Sequence, residues 1–269
     1  MNVIVSLTST PERSQILFYT IQSILKQSFR PDLILMNLSE SSYLSDSGFD
    51  ALAHWLNKDN LKVNLVRDIG PYTKLLPALE YADTKDIIVT ADDDVLYDKN
   101  WLKNLVEAAT SEPDSIVCCR ARIIKKNIFG NWQNYSNWDL INTRIKGFDI
   151  LPMGVAGVVY RKSLLDLDFL KDHKFLKIAP TTDDLWFRMA SLRKNTPVAV
   201  FPEIDHQNIY MQHSFGLGRE NMYRPKYNSI FFNVCYRLRL KIANYLGINH
   251  TKNDFYWDFI CKYSQISKP

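Results

Sequence analysis

Residues 86–95 read DIIVTADDDV, a short apolar run that ends in three consecutive carboxylates. Ile87 to Thr90 are all β-branched, and a run this short without polar alternation reads as a strand covered on both faces. Asp92, Asp93 and Asp94 then stand at its carboxyl end, where open α/β sheets bind their ligands. Three adjacent carboxylates repel one another, and a chain tolerates them most readily when a cation sits between them. Their hard oxygens, together with the phosphates of a ligand, suit Mg²⁺ or Mn²⁺. Taken alone, three acidic residues are more often a solvated turn that opens the next helix. The strand in front of them shifts that balance.

Similar units lie on both sides. Residues 2–7 (NVIVSL), 31–38, 62–66 and 115–120 (SIVCCR) are further apolar runs of strand length. Residues 13–27 carry Ile16, Leu17, Ile21, Ile24 and Leu25 at helical spacing. Helices are also expected over 74–82, entered through Gly70-Pro71, and over 99–110. Ala51, Leu52, Trp55 and Leu56 suggest a short one. Strands and helices that alternate in this way imply an α/β fold, a mainly parallel sheet flanked by helices. After residue 125 the pattern loosens. Residues 127–150 show no clear period, and 151–165 contain glycines. Residues 180–194 (PTTDDLWFRMASLRK) read as a capped helix. No repeat or linker divides the chain, so one domain is expected over 1–228, with halves at about 1–125 and 126–228. A helical extension is expected over 229–269.

Composition narrows the function. Of the 269 residues, 46% are hydrophobic and 23% charged, as in an ordinary globular protein. A net charge of +4, spread along the chain, does not indicate a nucleic-acid partner. Cys118 and Cys119 are adjacent within an apolar run and no CxxC pair exists, which points to buried reduced thiols rather than a zinc site. The N-terminal MNVIVSLTSTPER lacks the layout of a signal peptide. No stretch reaches the roughly 20 apolar residues of a membrane span. A cytoplasmic chain is expected.

Three segments, in order, resemble one family. IIVTADDDVLYDKNWL (87–102) resembles the DxD region of nucleotide-sugar glycosyltransferases of the GT-A fold, near the family-2-like group. VSLTSTPER (5–13) resembles that family's first strand and donor-binding loop. RDIGPYTKLLPAL (67–79) resembles the segment before the DxD strand in a subgroup tied to bacterial surface polysaccharides. The resemblance covers roughly residues 1–110 and implies a GT-A-type, Rossmann-like mixed sheet. It implies Asp94 as main ligand of a Mn²⁺ or Mg²⁺ cofactor, Asp92 on the metal or the donor ribose, and Asp93 supporting either. Thr8 and Ser9 would lie near the base and ribose of the nucleotide-sugar donor. Arg13 can fork onto phosphate or stack on a base, or simply open a helix at the surface. Asp68 can accept from a uracil imide, or form a turn. Lys74 can reach a diphosphate, or stay exposed.

The second half carries the acceptor side. PMGVAGVVY (152–160) resembles the glycine-containing wall of the acceptor pocket, with Gly154 and Gly157 letting backbone approach a sugar. In TTDDLW (181–186), Thr181 or Thr182 can cap a helix with acidic residues in its first turn. The resemblance makes Asp184 the base that deprotonates the acceptor hydroxyl, Asp183 its partner and Trp186 an acceptor contact. It also offers His213, or His206, as a third metal ligand. Trp132, Tyr135 and Trp138 suit stacking on sugar rings or packing in a core. Residues 229–247 place Phe231, Cys235, Leu238, Ile242 and Leu246 on one face, with Arg237, Arg239 and Lys241 between them. Such a helix can rest on the inner face of the plasma membrane or pack on the domain.

The expected activity is hexose transfer, with inversion, from a UDP-sugar to a glycan or lipid-linked acceptor in surface polysaccharide synthesis. A sugar nucleotidyltransferase is the competing enzyme reading, and the absence of glycine between Ser6 and Arg13 counts against it. A non-catalytic glycan-binding protein is the third.

Overall fold

The computed structural model describes residues 1–40, 60–212, 239, 241–249 and 251–265. The strands are β1 (Val3–Thr8), β2 (Leu33–Ser39), β3 (Leu61–Val66), β4 (Ile87–Thr90), β5 (Val95–Leu96) and β6 (Ile116–Cys118). They continue as β7 (Ala121–Ile123), β8 (Ile145–Gly147), β9 (Ile150–Pro152), β10 (Val158–Tyr160), β11 (Val198–Val200) and β12 (Ile209–Tyr210). The helices are α1 (Ser14–Leu25), α2 (Leu76–Tyr81), α3 (Trp101–Ser111), α4 (Leu167–Lys171), α5 (Phe175–Ile178), α6 (Asp183–Arg193) and α7 (Lys252–Ser264).

Among the described residues, eight strands form one sheet in the order β3-β2-β1-β4-β10-β6-β11-β8. β1 is parallel to both β2 and β4, β2 to β3, and β11 to β6. The expected mixed, mainly parallel sheet flanked by helices is therefore present. β4 is central, with all four residues buried. Its odd residues, Ile87 and Val89, join the core under α1 and α3, and Ile88 faces the opposite core with α2 and α6. Burying a large apolar side chain of this kind contributes roughly 1.5–3 kcal/mol, so a β-branched strand with both faces covered needs no polar alternation.

The loosely patterned half supplies what the period did not show. β10, from the glycine-containing segment, inserts antiparallel between β4 and β6. The turn before it is tight, with Ala156 at φ 73° and Gly157 at φ 108°. Trp101 Nε1 of α3 donates to the Ala156 carbonyl at 2.7 Å. A Cβ on Gly157 would stand 2.9 Å from Trp101 and 3.0 Å from Leu105. Gly157, expected at the acceptor pocket, is thus pressed against α3 inside the core.

Trp186 is also corrected. It is fully buried in the core, in a ring cluster with Phe169 of α4 and Tyr263 of α7, rather than at an accessible surface. The acidic start of α6 meets Lys74 and Gly154, whereas the residues that follow it turn into the core. Trp257 and Ile260 of α7 share the hydrophobic cluster of Leu185 and Phe187. A capping box between Thr251 and Asp254 starts α7. Among the described residues, no helix is long and apolar enough to cross a membrane. The expected helix around 51–56, His213, Cys235 and most of 229–240 lie outside the described residues.

Gly157→Ala should destabilise the protein by about 1–3 kcal/mol, since it adds both backbone strain and overpacking. Urea unfolding reads this, and an unchanged midpoint would contradict the packing described.

Candidate active site

The turn after β4 is pinned by its backbone, which leaves its side chains to point in different directions. Asp92 N–H donates to the Tyr97 hydroxyl at 2.8 Å, and Thr20 Oγ1 donates to the Asp93 carbonyl at 2.8 Å. Met211 N–H, just past β12, donates to the Asp94 carbonyl at 2.9 Å. The three carboxylates then diverge. Asp93 is buried, accepts from Ser9 Oγ, and lies 2.8 Å from Arg13 Nη2. Asp94 lies 2.7 Å from the same nitrogen. Asp92 turns the other way, 3.6 Å from Lys74 Nζ.

Lys74 is the junction. A short 3-10 turn, Gly70–Lys74, delivers it. Its carbonyl accepts from Ser6 Oγ at 2.7 Å; Asn37 donates to Ser6 at 3.0 Å and Asn64 to Asn37 at 2.9 Å. This polar ladder crosses β3, β2 and β1 and fixes the backbone of Lys74 to the sheet. From there Nζ reaches Asp183 Oδ2 at 3.1 Å, as well as Asp92. Asp184 Oδ1 accepts from Gly154 N–H at 3.0 Å. A Cβ on Gly154 would lie 2.5 Å from Lys74 Nζ and 3.2 Å from Asp184 Oδ1. Glycine at this position lets the backbone approach the acid pair.

Thr182 occupies the N-cap of α6, but its side chain makes no cap bond. Its hydroxyl donates instead to Asn253 Oδ1 of α7 at 2.9 Å. Tyr72 O–H donates to the carbonyls of Ala179 at 2.6 Å and Thr182 at 3.2 Å. The acid pair is therefore held from behind by Tyr72 and α7.

The electrostatics follow from burial. Asp92, Asp93, Asp94, Asp183 and Asp184 share the site with two cations, Arg13 and Lys74. Burial pushes the Asp93 carboxyl up to about 6, even with Arg13 and Ser9 opposing it. Burial likewise raises Asp92, against the pull of Lys74. Asp184 is pushed up to about 7 by burial and by neighbouring Asp183. Burial works against the charge on Lys74, but Asp183, Asp92 and Asp184 more than reverse this and raise its proton affinity above the usual lysine value. Among the described residues the carboxylates outnumber the cations, and carboxylate oxygens are the kind of donor that suits Mg²⁺ or Mn²⁺. Among the described residues, no three His, Cys, Asp or Glu side chains converge as a ready metal cage. The reason is visible at Asp93, which faces Ser9 and Arg13 and leaves Asp92 and Asp94 at the mouth.

Other expected residues fall as follows. Thr8 ends β1 beside Asn37. Asp68 is buried, and its Oδ1 accepts from Gly70 N–H at 2.6 Å, the turn role weighed for it. His206 is exposed beside Arg120, Asp205 and Tyr210. Tyr97, Thr20 and the Ser6–Asn37–Asn64 ladder escaped the sequence reading. Ser6 and Asn37 interrupt otherwise apolar strands, and that break in pattern was their signal.

A family model described as "Glycosyl transferase family 2" matches residues 11–173. Among curated proteins, none matches the chain. Among solved structures, a crystal structure of S. aureus TarS 1-349 is similar at 18% identity and TM-score 0.50, covering 99% of this chain and 73% of that one. The same protein in complex with UDP-GlcNAc gives 17% identity and TM-score 0.49, covering 99% of this chain and 74% of that one. Its complex with UDP gives 21% and 0.49, covering 76% and 58%.

Arg13→Met should cost roughly 3 kcal/mol at pH 7, because it strands a buried carboxylate. Asp93 binds its proton more tightly folded than unfolded, so the stability it contributes falls as pH rises through about 6. Without Arg13 that fall extends to higher pH, so the loss should be smaller at pH 5. Equal losses at both pH values in urea titrations would refute this account.

Proposed function

The chain belongs to glycosyl transferase family 2, and from that premise we propose that it transfers a hexose, with inversion, from a nucleotide-sugar donor, a UDP-sugar, to a glycan or lipid-linked acceptor in surface polysaccharide synthesis. Family membership makes it a glycosyltransferase and sets aside the nucleotidyltransferase and non-catalytic readings. One observation carries the proposal. Lys74 joins Asp92 at the mouth of β4 to Asp183 at the head of α6, although the two lie far apart in sequence. The candidate donor end and the candidate base are thereby joined in one ion-paired cluster.

The roles follow from position and chemistry. Asp184 acts as the general base, with a proton affinity near neutrality, where such a base works best. It takes the proton of the acceptor hydroxyl as that oxygen bonds to the anomeric carbon. The bond from that carbon to the donor's phosphate oxygen breaks on the opposite side, and the nucleoside diphosphate leaves with the electron pair. Gly154 N–H fixes the orientation of Asp184, and Asp183 holds Lys74. Lys74 and Arg13 supply positive charge on the donor side, where a diphosphate binds. Thr8, Ser9 and Asp68 line the approach of the nucleoside. Asp94, with Asp92, would hold Mn²⁺ or Mg²⁺, which when bound neutralises charge on the leaving diphosphate.

Asp184→Asn should lower the transfer rate by roughly 10²- to 10⁴-fold while donor binding survives. In the parent protein the rate should rise with pH through about 7, as Asp184 loses its proton. A pH-independent rate, or an active Asp184→Asn, would remove Asp184 from the chemistry. Asp94→Ala should abolish the gain in donor affinity that Mn²⁺ gives in calorimetry. If that gain is retained, Asp94 is not the ligand.

A further inference from the structure

On one surface the usual order of apolar inside and polar outside is reversed. Residues 127–131 form a tight turn. Asn127 Oδ1 accepts from Phe129 N–H at 2.9 Å and from Asn131 N–H at 3.1 Å, and Gly130 takes φ 76°. Ile128 and Phe129 stand at the tip, 82% and 68% exposed. Beside this turn lies a helical segment, 241–246. Asn127 Nδ2 donates to the Tyr245 carbonyl at 3.1 Å. Asn134 donates from its backbone to the Asn244 carbonyl at 2.9 Å and from Nδ2 to the Ile248 carbonyl at 2.7 Å. The two segments are thus neighbours held together by their backbones.

Ile242, Tyr245 and Leu246 are spaced to share one face of the helical segment. They are 55%, 37% and 40% exposed, whereas Ala243, Asn244 and Gly247 are half-buried. A helix on a globular domain normally turns its apolar stripe inward. Ile248 is exposed as well. Single exposed apolar side chains are ordinary, but a group of them on two joined segments marks an interaction surface.

The charge points to the kind of partner. Lys125 and Lys126 precede the tip, and Arg239 and Lys241 open the helical segment, both exposed. Lys125 pairs with Asp139, and Lys126 lies over the Trp132 ring. No Asp or Glu occurs in the sequence at 115–138 or at 221–253. Apolar tips flanked by cations and lacking acid match an anionic bilayer. The apolar groups enter the boundary between headgroups and acyl chains, and the cations meet lipid phosphates. A second copy of the chain would instead set like charges against each other.

We propose that this surface seats the protein on an anionic lipid bilayer as a peripheral contact. The attachment goes beyond the catalytic reading and does not rest on it; only its benefit, nearness to a lipid-linked acceptor, does.

The test sediments the full chain with vesicles of phosphatidylcholine alone and of phosphatidylcholine mixed with phosphatidylglycerol. The chain should pellet with the mixed vesicles, and less so as salt rises. Ile128→Ser combined with Phe129→Ser should weaken that binding about tenfold or more. Arg239→Glu combined with Lys241→Glu should weaken it by about the same factor. All four side chains are exposed, so the fold should survive, as circular dichroism would read. Asp184→Asn should bind vesicles as the parent does, so failure of the catalytic reading and failure of this one are separable. No pelleting with the mixed vesicles, or unchanged binding in either paired variant, would overturn the proposal. So would a dimer in analytical ultracentrifugation that the Ile128→Ser, Phe129→Ser variant abolishes, since the surface would then belong to a second copy.

Discussion

A single ammonium group holds this site together. Lys74 lies 3.6 Å from Asp92 and 3.1 Å from Asp183, and the carboxylates around it outweigh the effect of its burial. Removing water from so many charges is costly unless they are paired. Among the described residues, two cations, Arg13 and Lys74, face the five carboxylates of the site. The surplus appears as raised proton affinities at Asp92, Asp93 and Asp184. In the proposed mechanism, the same carboxylate-rich setting would hold a cation at Asp92 and Asp94 and tune Asp184 as a base near neutral pH. One electrostatic constraint thus accounts for both.

The fold exists around this constraint as much as around its apolar core. Ser6, Asn37 and Asn64 form a buried polar ladder through three parallel strands, and its end fixes the backbone of Lys74. A half-satisfied network would cost stability, so each member needs its neighbour. On the other side, β10 runs antiparallel beside β4, and the tight turn that precedes it brings Gly154 N–H to Asp184. The same turn presses Gly157 against Trp101. Two glycines three residues apart therefore do different work, one admitting backbone to the acid pair and the other closing the core.

Much of the donor half was legible because its signals are local. Apolar runs such as VIVSL and DIIVT have the length and composition of covered strands, and the carboxylates at the end of β4 sit where an α/β sheet binds ligands. The pair Asp183-Asp184 was legible as the start of a helix. The direction of β10 was not, because three residues of an apolar run carry no sign of antiparallel pairing. Trp186 was misplaced for a related reason. Helical geometry turns residues two or three past the acid pair through about 200–300°, from the cleft into the core. Sequence proximity to Asp184 therefore said little about what Trp186 touches. The partners of Asp93 were equally hidden, since Ser9 and Arg13 meet it across more than seventy residues of chain.

The position of α7 follows from the same reasoning carried one step further. A helix that begins with a buried and a half-buried acid needs support at its N-terminus, and the usual cap from Thr182 is missing. The hydroxyl reaches Asn253 instead, and Trp257 and Ile260 pack the same helix from behind. The orientation of Asp183 and Asp184 thus depends on a segment outside the matched family region.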